Sequence, residues 1–447
     1  MNYPLWDVPG IGGGILIAIV AIIHVFISHF AVGAGFFNVL TEQRARRLGD
    51  DHLLTFVRTH SFVLLLLSMV LGALTGVGIW FVIGLVQPTG TSTLIHVFLW
   101  AWACEWVAFV VEVVAALVYY YGWDRLDPAV HIRVGWIYAV VSWMSLVLVN
   151  GILTFMLTPG EWFVTGRISD AFFNPTFWPS LALRTLVALA LAGLYALLMA
   201  TLVPHETHRS HLVRYTAKWV AYPLMALGPA AFWYMSELSQ PVYRWFLGAS
   251  APLTMFFMLS ALFTALILGL TLMVAVRQPR HFTWPTALLI MFFGLLSTAS
   301  TEMVREAIRR PFIIYDYLYS NSIRVTDMEK IKASGILAAA RWSPIHEVTP
   351  LNRLQAGRAV FELQCQICHT LNGFNGILPL TDGWRERTLD TFIAHMHETN
   401  HYMPPFLGTH EERGALAAWL ISQQSELRLA PPPEPEPERS QEQAPER

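Results

Sequence analysis

The chain is 447 residues long, 55% hydrophobic and only 13% charged, with a formal net charge of −2 and a mean hydropathy of +0.47. A soluble chain carries about 25% charged residues. Half of that cannot coat a water-soluble surface of this size, so most of the chain must meet lipid. A cytosolic enzyme and a disordered scaffold are excluded. The near-neutral charge excludes an electrostatic nucleic-acid binder, and three cysteines are too few for a disulfide framework.

Eight apolar runs follow in chain order, at roughly 11–38, 60–86, 94–121, 132–157, 178–203, 217–236, 252–276 and 283–303; a bilayer takes about 20 residues to cross. They lack the polar alternation of strands, and lipid forces each span to satisfy its backbone internally. The expected class is therefore all-α: a polytopic membrane bundle of about eight transmembrane helices with a small α-helical C-terminal domain. The segment after Met1 lacks a basic n-region and its apolar run outlasts a signal peptide, so it reads as the first span.

Basic residues alternate between loops. The first loop holds Arg44, Arg46 and Arg47. The third holds Arg125, with Arg133 at the next helix start. The fifth holds Arg209, Arg214 and Lys218, and the seventh Arg277 and Arg280. The even loops hold only Arg167 and Arg244. The positive-inside rule then puts the odd loops in the cytoplasm and both chain ends outside.

Composition shifts after about residue 304, giving an expected membrane domain at 1–304, a connector at 305–350, a small soluble domain at 351–425 and a Pro/Glu-rich disordered tail at 426–447. The small domain contains Cys365-Gln366-Ile367-Cys368-His369, the C-x-x-C-H spacing of c-type heme attachment. Two thiols at this spacing form thioethers to both vinyl groups, and the adjacent imidazole reaches the iron. The bland alternative is a chance match or a redox C-x-x-C. Against it stand a helical run before the motif (RLQAGRAVFELQ), an amphipathic run closing the domain (THEERGALAAWLISQ), and His401-Tyr402-Met403-Pro404-Pro405-Phe406 between them. Met403, braced by two prolines, is the expected distal thioether ligand, and His/Met ligation raises a heme potential. His395, His397, His401 and Met396 compete for that role. The segment resembles a class I monoheme cytochrome c domain, a resemblance that implies heme attached on the outer face of the membrane.

Ionisable groups inside lipid are costly and read by default as functional. The first span holds His24 and His29, the second begins at His60, and the third carries His96, Glu105 and Glu112. The fifth holds Arg184, and the eighth ends in Glu302, Arg305, Glu306, Arg309 and Arg310. Glu105 and Glu112 lie about two turns apart on one helix face. They suit a proton path or a heme-facing pair, or a polar helix contact. His24, mid-span, is read as a heme ligand. His29 points elsewhere and serves a second heme or a backbone carbonyl. His60 and His96, near span ends, are either ligands or hydrated histidines, and His131 is expected at the interface. Arg184 needs an anion: a heme propionate or a glutamate. The Glu302–Arg310 cluster clamps propionates or caps the junction with the soluble domain. Met69, Met255 and Met258 are thioether candidates whose bland reading is packing.

The stretch from His24 to Glu42 (HVFISHFAVGAGFFNVLTE), LGALTG at 71–76, Glu112 followed by Tyr-Gly-Trp-Asp-Arg-Leu at 121–126, His131, Asn150-Gly151 and Arg309-Arg310-Pro311 together resemble subunit I of cytochrome bd oxidases. The resemblance spans roughly residues 10–310 and is densest in the first four spans. It implies that His24 matches the axial histidine of the active-site heme region. Glu112 matches a family glutamate tied to proton supply and heme. The second family glutamate falls at Cys104, with Glu105 adjacent. The low-spin heme histidine of the family falls near Leu183–Arg184, and its methionine partner near Ser260, with Met258 closest. The quinol-binding loop is shortened to about residues 237–251, and a c-type domain stands where the family has a ninth span.

The combined expectation is a membrane-bound heme oxidoreductase subunit of a respiratory chain in a bacterial inner membrane, with the c domain on the periplasmic side. Its cofactors are covalent heme c and one or more hemes b, with heme d the variant at the active site. Its partners are the lipid bilayer, a periplasmic cytochrome c or other redox protein, a second membrane subunit, and oxygen or quinol. Electrons flow between b hemes and the c heme toward oxygen. The alternative is a quinol-oxidising or purely electron-transferring anchor that delivers electrons outward through the c heme.

Overall fold

The structure is a computed structural model and describes residues 3–244, 246, 248 and 250–429, with side chains through residue 425. The helices of the membrane part are α1 (Gly12–Leu48), α2 (Asp51–Leu66), α3 (Ala73–Val86), α4 (Pro88–Val97), α5 (Leu99–Tyr121) and α6 (Pro128–Phe155). After the short α7 (Trp162–Thr165) and α8 (Ile168–Phe172) come α9 (Phe177–Ala200), α10 (Glu206–Ser236), the short α11 (Gln240–Arg244), α12 (Ala251–Leu270) and α13 (Trp284–Ala307). Their ends are set by local chemistry. Gly49, at φ 63°, closes α1 in the left-handed region. Asp50 then caps α2 by accepting from Leu53 N at 2.9 Å. Asp127 caps α6 ahead of Pro128.

Among the described residues, seven helical segments are long and apolar enough to cross a membrane. The remaining long helix, α10, covers the expected sixth run. Its first turns are polar and it carries Pro223 and Pro229 inside. The second span is a continuous rod from Asp51 to Val86, in which α2 and α3 join through a π-helical turn at Leu67–Gly72. The third span starts later than the apolar run suggests. Pro88 opens the separate helix α4, and the chain breaks at Phe98 before α5. His96 therefore sits on α4, outside the span.

Helix packing uses small residues, as lipid-embedded bundles do. Gly33 of α1 lies so close to α9 that a Cβ there would sit 1.9 Å from the Ala188 carbonyl oxygen. The main core gathers Phe26, Phe30 and Phe37 of α1 with Leu191 and Leu197 of α9 and Val213 of α10.

A two-stranded antiparallel hairpin, β1 (Phe312–Ile314) and β2 (Leu318–Tyr319), leads out of the bundle. Helices α14 (Met328–Ser334), α15 (Ile336–Ala339), α16 (Arg353–Gln364), α17 (Ile377–Leu380), α18 (Glu386–Ala394), α19 (Met396–Thr399) and α20 (His410–Leu429) complete the chain. The stretch read as connector is not a free linker. Ile323, Ile331, Ile336 and Leu337 share one core with Val360, Leu416 and Leu420. Buried Glu412 accepts from the backbone N–H of Ile336, Leu337 and Thr409. Helix α20 continues to Leu429, and residues 430–447, most of the expected tail, lie outside the described residues.

The small domain docks on the end of the bundle where α1 begins. Arg44, Arg46 and Arg47, expected in the first loop, instead occupy the last turns of α1, about 50 Å from that end at 1.5 Å per residue. Phe374 N donates to the Gly10 carbonyl, and a Cβ on Gly373 would lie 1.9 Å from that same oxygen, so only glycine fits there. Tyr402 bonds Ser250, and Asn321 of the connector donates to Gln364 at 3.1 Å.

Candidate functional site

The C-x-x-C-H segment forms a tight turn at the end of α16. Cys365 N bonds Phe361 O at 2.8 Å, Cys368 N bonds Cys365 O at 3.0 Å, and His369 N bonds Cys365 O at 2.9 Å. Cys365 and Cys368 are free thiols, half-buried, and burial pushes the Cys365 thiol up to about 12. The His369 ring donates from Nδ1 to the Asn375 carbonyl at 2.9 Å. Nε2 is left with its lone pair, the form an iron ligand needs. Burial also lowers the basicity of this imidazole, keeping it neutral. Asn375 is held in turn by its own amide donating to Cys368 O at 2.8 Å. The residues therefore fit covalent heme c.

Met403 is half-buried and its N–H bonds Asn400 O at 2.9 Å. Its carbonyl accepts from His397 Nδ1 at 2.7 Å, which ties that competitor to a supporting role. His395 faces Glu398 at 3.3 Å and, like His401, is exposed; Met396 is half-buried.

Within the bundle, Thr75 Oγ1 spends its one proton on Leu71 O at 2.5 Å, so His24 Nδ1 is the donor in their 3.0 Å contact. His29 Nδ1 donates to Val25 O at 2.9 Å. Both rings thus carry a bare Nε2, the tautomer that fits axial ligation. His60 holds Nδ1 2.6 Å from Asn38 Oδ1, and its ring also faces the Ala192 backbone. The Phe30 and Phe37 rings pack against it with centroids at 5.7 and 4.6 Å, so a porphyrin there would have to displace core aromatics. His96 is exposed, and its Nδ1 donates to Ser92 O at 2.7 Å. Glu105 accepts from Ser145 at 3.3 Å, and Glu112 holds one buried carboxylate oxygen without a partner. Met255 and Met258 are exposed on the bundle surface, and Met69 packs on the core.

The charged residues of the last span form a ladder. His29 and Arg184 both lie within electrostatic reach of Glu302, and Arg184 Nε reaches Ser180 Oγ at 3.4 Å. Arg305 pairs with Glu302 at 2.8 Å. Glu306 then pairs with Arg309 and, at 2.9 Å, with Arg310. Arg309 is buried, and also donates to Ile313 O at 2.9 Å and toward the Met156 sulfur at 3.6 Å. Arg310 ends the ladder by donating to Cys368 Sγ at 3.1 Å. Two sets of ion pairs, Glu302 with Arg305 and Glu306 with Arg309 and Arg310, thus follow one another along the end of α13, between the neighbourhood of His29 and the C-x-x-C-H turn.

Residues 15–234 match the family model of cytochrome bd terminal oxidase subunit I, and residues 352–420 match that of cytochrome c oxidase, cbb3-type, subunit III. The membrane part is thus similar to bd oxidase subunit I, and the small domain to a cytochrome c module. A curated protein of Bacillus subtilis (strain 168), "Putative cytochrome bd menaquinol oxidase subunit I", is 27% identical over 164 residues. That match covers 35% of this chain and 36% of the relative, so the chain spans about a third of the curated protein it matches. The solved bd oxidase of Geobacillus thermodenitrificans aligns with a TM-score of 0.58 at 16% identity, over 67% of this chain and 87% of that one, and shows the shared fold.

The bd-like domain also holds a constellation that the sequence reading missed. Glu42, fully buried, receives Arg46 Nε at 2.7 Å and Tyr119 OH at 2.7 Å, and lies 2.8 Å from His131 Nδ1. The other ring nitrogen of His131 reaches Tyr119 O at 2.8 Å. His131, expected at the interface, is fully buried between Tyr119 and Trp123, with ring centroids at 4.4 and 4.5 Å. The start of α6 drops against the end of α1, which removes this histidine from water. The available signal was a glutamate ending an apolar run together with a histidine after the third loop. Both lie in the motifs that carry the family likeness, yet neither sits at the middle of a span.

Proposed function

We propose that the chain is a heme oxidoreductase subunit of a respiratory chain, exchanging electrons between a c heme on the periplasmic face of the inner membrane and b-type hemes in the bundle, with oxygen as final acceptor. The observation that carries this reading is the ladder from His29 and Glu302 to Arg310 and Cys368, which joins the two halves directly. When bound, the hemes supply reversible one-electron chemistry. The chain's own residues do the rest. Cys365 and Cys368 tether, His369 and Met403 ligate, and Asn375 holds the His369 tautomer. His24, steadied by Thr75, is the ligand in the bundle, with His29 the candidate for a second iron. Arg184, Arg305 and Arg309 supply positive charge for propionates, with Glu302 as the counter-ion that holds Arg305 in place. Glu112 and Glu105 lie on one face of α5 and pass protons inward. Heme d in place of a heme b at the His24 position, and a second membrane subunit, belong to the same reading.

The docked position of the small domain supports the orientation. It sits on the bundle end away from Arg44, Arg46 and Arg47, and an outer location for it agrees with the positive-inside rule. A redox difference spectrum with pyridine hemochrome analysis of the purified chain tests the cofactor set, the expected result being c and b bands together. Oxygen uptake driven by reduced cytochrome c then tests the direction. Uptake supports the oxidase, whereas heme reduction by quinol without oxygen uptake supports the outward-delivering alternative.

A further inference from the structure

We propose that Arg310 is the positioning residue of the c heme: its guanidinium, set against Cys368 Sγ, would steady the heme's attachment at that cysteine and raise the heme's midpoint potential. The inference rests on the heme c assignment above and goes beyond it. One nitrogen of Arg310 is 3.1 Å from Cys368 Sγ and another is 2.9 Å from Glu306. Its side chain is only 22% exposed, so water screens its charge weakly. His369 also lies within its electrostatic reach.

The charge count makes the sign clear. Arg184, Arg305, Arg309 and Arg310 carry four positive charges along the ladder, against two negative charges on Glu302 and Glu306. The end that touches the C-x-x-C-H turn is a cation in surplus. Reduction adds one electron to the iron, so a fixed cation at the heme edge favours the reduced form. Three other joints already fix the domain, at Gly373 on Gly10, Tyr402 on Ser250 and, through the connector packed with it, Ser320 and Ser322 on Gln87. Arg310 is thus not required merely to hold the two parts together, and its placement on the sulfur calls for an electrostatic role.

The test is a spectroelectrochemical titration of the c band in the full-length chain, comparing wild type with Arg310→Gln and Arg310→Lys. Arg310→Gln is expected to lower the ratio of reduced to oxidised heme at a given potential about tenfold, equivalent to about 59 mV for one electron. Arg310→Lys should stay near wild type. Glu306→Gln removes the counter-charge and should shift the potential upward, which keeps the test decisive if Arg310→Gln does not accumulate. An unchanged potential in Arg310→Gln overturns the proposal, as does an equal drop in the Gln and Lys variants, which would assign the residue to shape alone. An unmoved Glu306→Gln potential overturns it too. Absence of a covalent heme band on the wild-type chain would instead defeat the underlying cofactor reading.

Discussion

The bundle holds a buried charge cluster at one end and a half-buried one at the other, and they follow opposite plans. At the basic-loop end, Glu42 is closed. Its oxygens are taken by Arg46, His131 and Tyr119, and Glu42 and His131 are fully buried. At the other end, the Glu302–Arg310 ladder is open and terminates on a sulfur of a different domain. Burying an ion pair is close to neutral against well-packed apolar residues, but breaking one is expensive. A closed cluster therefore behaves as structure, and a chain of pairs with a free end behaves as a connection.

Substitutions separate the two plans, beginning with the largest effect. Cys365→Ala combined with Cys368→Ala should abolish covalent heme altogether, read as loss of the heme-stained band on a denaturing gel, while the folded bundle persists. Glu42→Ala strands His131 and the Tyr119 hydroxyl in the interior and unpairs the half-buried Arg46, and should cost roughly 3–5 kcal/mol, seen as a lower thermal midpoint with the c band unaltered. If Glu42→Ala instead changes heme spectra and spares stability, the assignment of that cluster to structure fails. His24→Ala should remove a b- or d-type band and leave the c band; an unchanged spectrum rejects His24 as a ligand. Tyr402→Phe removes one bond to Ser250 worth about 1 kcal/mol, and should modestly speed proteolytic release of the small domain. No change there would mean that the Gly10–Gly373 contact dominates the docking.

The sequence was most informative where chemistry is local. Span positions follow from apolar length. The c motif follows from a five-residue spacing whose geometry is fixed by one turn. The basic loops could be counted directly. Long-range arrangement was far less visible. The break at Phe98, which moves His96 out of the third span, depends on Pro88 opening a short helix inside an otherwise apolar run. The burial of His131 depends on how α6 meets α1, which no periodicity encodes. Arg184 could be assigned an anion, and Glu302 lies within its electrostatic reach. The pairing of Arg310 with Cys368, 58 residues apart, arises only when the soluble domain sits down on the membrane part. The packing of Ile336 and Leu337 into the c-domain core, secured by Glu412, likewise turns an apparent linker into part of a fold.

The seam between Gly10 and Gly373 makes the leading segment part of the footing of the attachment turn. There Trp6, Gly12, Gly13 and Val86 face Ile367, His369 and Thr370 across a gap of about 10 Å³. That is room for about one water. The segment ahead of the first helix therefore acts as a wall beside the histidine of the motif, and a side chain introduced at Gly373 would meet the Gly10 carbonyl and push that wall away.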